Sequence, residues 1–434
     1  MIKDKISVIG AGLAGCEAAW QLAKFGYNVD LYEMKPKKFS AAHKSKNFAE
    51  LVCSNSLKSR RISSASGMLK EEMRLFGSLT LESAEKFSVD AGGALAVDRE
   101  LFSEEVTRRL YSCQKINVIN EEIINIPEGK VIIATGPLTS DDLTTTISKL
   151  IGGDQLHFYD AAAPIISANS IDMEKTFFAS RYGNGSADYI NCPMNKEEYE
   201  TFYESLVNGE CAQLHEFDKP KVYEGCMPIE IMAKRGKDTI RFGPLKPVGI
   251  YHPVTNEKYY AVLQLRKENA EGTMYNMVGF QTNLKFGEQK RIFSLIPGLE
   301  HAEFLRYGVM HRNTFINSPR LLDDKLRLKN NKNIRFAGQI TGVEGYMESA
   351  ACGIISSRLL IEELSDSEKC ILPETTMMGS LLRYITSEDV RDFQPMGANM
   401  GLLPRLDVKI KDKKKRYETL ATRGLLDLKN ILKN

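Results

Sequence analysis

Two of the eight cysteines stand in polar company. Cys53 lies in Glu50-Leu51-Val52-Cys53-Ser54-Asn55-Ser56, and Cys226 in Tyr223-Glu224-Gly225-Cys226-Met227-Pro228. Turn and capping residues flank both, whereas a cysteine that fills a core usually sits in continuous apolar sequence. On residue type alone, the small buried hydrophobe is the commoner use of a thiol. The other use is nucleophilic, and it needs cationic or dipolar help to expose the thiolate. Lys234 and Arg235 lie close in sequence to Cys226.

A second constellation opens the chain: Gly10-Ala11-Gly12-Leu13-Ala14-Gly15, directly after Ile6-Ser7-Val8-Ile9. In this pattern the first glycine permits a tight turn and the second lets the backbone approach a pyrophosphate. The third allows close helix-to-sheet packing, and the helix N-terminus supplies N–H donors. Glu33 stands at the spacing of about 20 residues expected for a carboxylate that binds ribose hydroxyls, which favours FAD or NAD over NADP. A later glycine turn, Gly338, Gly342 and Gly345, favours FAD, because a helix starting there can face the flavin pyrimidine ring. Methyltransferases that use S-adenosylmethionine also have glycine-rich first turns, so the glycines alone leave that class open.

The elements that must position these groups follow from periodicity. Ile6–Ile9 reads as a strand, Ala18, Ala19, Leu22 and Ala23 as a helix stopped at Gly26, and Val29–Glu33 as a second strand. Lys130–Ala134 and Asn333–Ala337 read as further buried parallel strands, each ending in a glycine turn. The fold class expected is α/β: a doubly wound, Rossmann-type FAD-binding parallel sheet, discontinuous in sequence, with a mixed α+β insertion. Boundaries are placed at 1–154 and 316–434 for the sheet and 155–315 for the insertion, where aromatics and short alternating segments concentrate.

At 434 residues, 43% apolar and 26% charged, the chain suits two or three units with a sizeable core and excludes wholesale disorder. No run approaches the ~18 apolar residues of a membrane span. The N-terminus passes straight into the first strand, so no cleavable leader is expected. Sparse cysteines without a C-x-x-C pair support neither a disulfide scaffold nor a zinc site. A reduced, cytoplasmic enzyme without metal is expected, and monomer and dimer stay equally open. The net charge of +2 is uneven: residues 401–434 hold ten Lys/Arg and four Asp/Glu. Lys409, Lys411 and their neighbours read equally well as a phosphate track or as a solvated helix.

Taken as a set, these motifs resemble one family. With Asp90–Arg99, Tyr159–Pro164, Tyr307–Thr314 and Gly338–Tyr346, the glycine turn and both cysteine segments are similar to the folate- and FAD-dependent RNA (uracil-5-)-methyltransferases. These are best known for the T-loop uridine of tRNA. The resemblance covers nearly the whole chain. It implies that Cys226 adds to carbon 6 of uracil to make carbon 5 nucleophilic, and that Cys53 acts near the flavin in proton transfer or flavin protection. It further implies 5,10-methylenetetrahydrofolate as one-carbon donor, FAD as the redox cofactor and NADH or NADPH as reductant. His311 and Arg312 are candidate substrate contacts. Asn283 and Phe286, candidate contacts to the folate ring or the RNA base, stand where the family pattern has histidine and tryptophan, so a uridine of 23S ribosomal RNA is the alternative target. A flavin oxidase, a thiol reductase or a non-catalytic flavoprotein is the alternative of another class.

Overall fold

The computed structural model describes residues 6–40, 42–153, 156–183, 187–212, 227–365, 372–390 and 393–433. Its first sheet has six strands in the order Arg327–Leu328, Asn331–Phe336, Lys130–Ile133, Ile6–Ile9, Val29–Tyr32, Ile116–Ile119. All neighbours are parallel except the antiparallel edge strand Arg327–Leu328. Val8, Ile132, Ile133 and Phe336 are completely buried. Continuous apolar runs of this kind are what a parallel strand covered on both faces requires.

Two helices give one of those faces its shape. Leu13–Lys24, rich in alanine, crosses Tyr346–Ser365 at close range. A Cβ at Gly353 would lie 2.1 Å from the Ala14 carbonyl oxygen, so only glycine lets the two backbones approach this closely. Because the helix Leu13–Lys24 carries the first glycine turn, this contact also fixes where that turn sits.

Residues 165–306 build a second, antiparallel sheet: Phe177–Ala179, Tyr189–Met194, Ala261–Lys267, Met274–Met277, Ile165–Ser167, Phe304–Arg306. It has its own core, in which Tyr199, Phe202, Leu263, Leu265, Phe280 and Phe293 are fully buried. The helix Lys196–Val207, started by an Asn195/Glu198 capping box, covers it. An antiparallel ribbon, Leu156–Ala161 against Met310–Phe315, lies at the two crossings between the sheets.

The basic C-terminal stretch is helical only from Lys413 to Lys433. That helix is not fully solvated, since Leu420, Ala421 and Leu428 are buried and Gly424 packs on Thr375 and Met68. Among the described residues, no helix is long and apolar enough to cross a membrane.

Candidate functional site

The glycine turn divides its labour as the sequence suggests. Gly10 sits at φ +96°, and a Cβ there would meet the Ala134 carbonyl oxygen at 2.8 Å. A Cβ at Gly15 would fall 1.8 Å from the Gly10 oxygen, so this position serves packing. At Gly12 a Cβ would meet nothing within 4 Å, because the turn opens there onto a cavity of about 420 Å³. No side chain caps the helix that begins at Leu13. Its first N–H groups and positive dipole end are therefore available to an anion. Ala11, Leu13 and Ala14 line the same cavity.

Buried Glu33 braces this turn as well as facing the cavity: its carboxylate accepts the Ala11 N–H at 2.9 Å and the Lys35 N–H at 3.0 Å. Each oxygen keeps a further lone pair for a ribose hydroxyl.

At the later turn, the three glycines do different things. Gly345 lines the cavity. Gly338 packs on the Ala14 Cβ and Gly342 on the Phe393 ring, so both act by close packing and neither is on the cavity wall. Beside Gly345, Lys58 reaches Glu348 Oε1 at 2.7 Å from a backbone held at φ +64°. Glu348 Oε2, buried, has no hydrogen-bond partner among the described residues. An orphaned carboxylate oxygen in a residue of the cavity wall calls for a donor from a ligand. An open Gly12, an uncapped helix start, Glu33 and this orphan together fit FAD, whose ring carries an N–H donor.

Cys53 lies on the wall of the same cavity, and its loop is tied down from three directions. Tyr346, first residue of Tyr346–Ser365, places its hydroxyl 2.8 Å from the Cys53 N–H, 3.3 Å from the Ser54 N–H and 2.9 Å from Sγ. Arg99 donates to the carbonyls of Leu51 (2.9 Å) and Val52 (3.2 Å), and pairs with Glu268 at 2.7 Å. Arg266, nearly buried, donates to Asn55 Oδ1 (2.8 Å) and Ser54 Oγ (2.9 Å). Asn55 in turn donates to the carbonyls of Val97 (3.1 Å) and Lys267 (2.8 Å). Burial opposes the charge of Arg99, yet Glu268 leaves its pKa raised on balance. Burial lowers that of Arg266, with Glu268 opposing. Two held guanidinium groups thus face the loop that carries the thiol.

The remaining sequence candidates are placed as follows. Cys226 lies outside the described residues; these resume at Met227, buried, and the Ile229 N–H donates to the Gln281 carbonyl at 2.7 Å. Glu230, its carboxyl raised by burial, accepts the Asn283 N–H and the Thr282 hydroxyl, both at 2.8 Å. This ties the segment after Cys226 to Gln281, a residue of the cavity wall. Asn283 spends its side-chain amide on the Ala212 carbonyl at 3.0 Å. Phe286, 53% exposed, stacks on Tyr307 at 4.7 Å. Neither lines the cavity. His311 and Arg312 belong to the ribbon strand Met310–Phe315. Lys409 and Lys411 are exposed, ahead of the last helix and off the cavity wall.

Sequence reasoning missed Tyr346, Arg99, Arg266, Asn55 and Glu268 as functional neighbours. The available signals were the motif segments that Arg99 and Tyr346 end, and Arg266, a charge directly after the apolar run Ala261-Val262-Leu263-Gln264-Leu265.

Comparison with known proteins bears on the family and the fold. The family model described as glucose inhibited division protein A matches residues 5–368. The methylenetetrahydrofolate–tRNA-(uracil-5-)-methyltransferase TrmFO of Acetivibrio thermocellus is 58% identical over 430 residues, 99% of each chain. Its namesake from Bacillus subtilis is 54% identical over 433 residues, 100% of each. Among solved structures, Aquifex aeolicus GidA in its form II crystal superposes with a TM-score of 0.67 at 15% identity, over 100% of this chain and 76% of that one. That likeness speaks to the fold alone. The chain is an enzyme of the glucose inhibited division protein A family and, within it, belongs with the TrmFO relatives.

Proposed function

We propose that this enzyme transfers a one-carbon unit from 5,10-methylenetetrahydrofolate to carbon 5 of the T-loop uridine of tRNA, giving 5-methyluridine. FAD occupies the cavity and NADH or NADPH supplies the electrons. The observation that carries the reading is the shared wall: the glycine turn and a braced cysteine border one cavity. Bound there, the flavin supplies the reducing equivalents that turn a transferred methylene into a methyl group.

The rest is the work of the chain. The uncapped start of Leu13–Lys24 holds the pyrophosphate, and Glu33 holds the ribose. Cys226 adds to carbon 6 of the uracil, and the electron pair displaced from the 5,6 double bond makes carbon 5 the nucleophile. Cys53 takes the proton that carbon 5 loses once it has gained the one-carbon unit; the C–H electron pair forms an exocyclic methylene as the carrier nitrogen leaves, and addition of hydride to that methylene restores the 5,6 double bond and expels the Cys226 thiolate. The cavity excludes water during these steps, and the exposed lysines around Lys409 and Lys411 attract the RNA backbone. The unit 155–315 is assigned to substrate binding, against 1–154 and 316–434 for the flavin.

The test is transfer of label from methylenetetrahydrofolate, with FAD and a nicotinamide reductant, to separate tRNA and 23S ribosomal RNA transcripts. Label in tRNA at one uridine is the expected result. Label confined to ribosomal RNA moves the target, and label in neither refutes the reading.

A further inference from the structure

The bonds around Cys53 define a chemistry for its sulfur. A phenol has one proton to donate and two lone pairs with which to accept. In Tyr346 both acceptor positions are filled by the loop it faces, from the Cys53 N–H at 2.8 Å and the Ser54 N–H at 3.3 Å. Sγ lies 2.9 Å from the same oxygen. With the lone pairs committed, that third contact is O–H···S, donated by tyrosine. We infer that Tyr346 is the positioning residue of Cys53: its phenol proton is committed to Sγ, which holds the sulfur as an acceptor on the cavity wall and favours the thiolate. The inference rests on the reading of Cys53 as a reacting group in the proposed methyl transfer.

The surroundings support the same direction. Among the described residues, the groups that interact electrostatically with Cys53 include Arg99 from Arg99–Tyr111, Arg266 from Ala261–Lys267, Arg306 from Phe304–Arg306, and Tyr346 itself. The nearby carboxylate of Glu268 is engaged by Arg99. Burial, and next the charge of Cys53, push the Tyr346 phenol well up, so it keeps its proton at neutral pH and remains the donor. Cations and an O–H donor both stabilise a thiolate more than a thiol. Arg99 and Arg266 add stiffness, because they grip the loop on either side of position 53 and leave the sulfur little freedom to turn away.

The test is the pH profile of Cys53 alkylation by iodoacetamide in the flavin-bound protein, read on the Cys53 peptide by mass spectrometry. Cys113 and Cys211 serve as internal references. Tyr346→Phe should raise the Cys53 midpoint by about one pH unit, a roughly tenfold loss of thiolate at neutral pH, and leave both references unmoved. An unchanged or lowered midpoint, in a variant that keeps its flavin spectrum, overturns the inference. Should the variant lose its flavin, the unaltered protein decides: Cys53 must titrate below the ~8.5 of a free thiol, and a midpoint at or above that value overturns it. Neither measurement uses methyl transfer. A protein inactive on RNA would therefore sink the proposed function and leave this result standing.

Discussion

Gly12→Ala separates the needs of the fold from those of the cofactor. Gly12 has φ −73° and ψ −172°, a backbone region open to alanine, and the added Cβ meets no protein atom within 4 Å. Alanine at a compatible site stabilises by about 0.4–1 kcal/mol, chiefly by restricting the unfolded chain. The flavin-free variant should accordingly melt about 0.5–1 °C above its parent in calorimetry. The same methyl group projects into the cavity where the pyrophosphate must approach the turn. Overpacking of this kind costs about 1–3 kcal/mol, so FAD affinity, followed by quenching of flavin fluorescence, should fall about tenfold to a hundredfold. Gly353→Ala supplies the opposite sign. Its Cβ, 2.1 Å from the Ala14 oxygen and 2.8 Å from the Ala14 carbonyl carbon, must push two helix backbones apart by more than an ångström to reach ordinary contact. That variant should lose about 2–3 kcal/mol without any ligand present. A Gly12→Ala apoprotein that melts below its parent, or that binds FAD at parental affinity, would refute the argument that Gly12 is kept for the ligand alone.

Other expectations follow from individual groups. Cys226→Ala should abolish label transfer while the protein stays yellow, checked by the flavin spectrum and a single-turnover assay. Glu72, buried and accepting the N–H groups of Met377 (2.7 Å) and Met378 (2.8 Å), has its carboxyl pushed by burial to about 8. A carboxyl with a raised folded pKa binds its proton more tightly in the native state. Its contribution is full below the unfolded value and is lost as pH rises toward 8. The stability gap between the parent and Glu72→Gln, from urea midpoints at pH 5 and pH 8, should therefore shrink at the higher pH; a gap that widens contradicts the assignment. Lys409→Gln with Lys411→Gln should leave the urea midpoint unchanged, since both side chains are exposed. The slope of log affinity for RNA against log salt should become shallower by about two if each lysine neutralises one phosphate.

Legibility in the sequence tracks the range of the interaction. The glycine turn, the helix behind it and Glu33 were readable because strand, turn, helix and strand are consecutive, and their spacing alone fixes the geometry. The same holds for the strand Lys130–Ile133, whose apolar run announces burial on both faces; Asn331–Phe336 is buried only over its last three residues. Gly338 and Gly342 were read as ligand contacts because a glycine kept for a cofactor and one kept for a neighbouring helix look alike in sequence. Only the position of Ala14 and of the Phe393 ring tells them apart. Asn283 and Phe286 raise a related difficulty: a loop entering a helix gives no periodicity from which side-chain direction can be read. One of the two turns inward to the Ala212 carbonyl and the other outward onto Tyr307.

The bracing of Cys53 lay beyond any local reading, because Arg266 reaches Asn55 across 211 positions and Tyr346 reaches Cys53 across 293. These contacts also show how the two sheets share the work. The parallel-sheet unit contains what shapes the first glycine turn: Gly10, Gly12, Gly15, Glu33 and the helix packed through Gly353. It also carries Tyr346 and Arg99, which hold the Cys53 loop, but not every group that braces it. Without the second sheet, Arg99 loses Glu268, and Asn55 loses both the Arg266 guanidinium and the Lys267 carbonyl. Buried groups left so would cost about 1–3 kcal/mol each, and the loop would rearrange before tolerating that. Two roles thus depend on different parts of the chain. On the proposed reading the dinucleotide is held by one sheet, while the full bracing of Cys53 on the cavity wall draws on both.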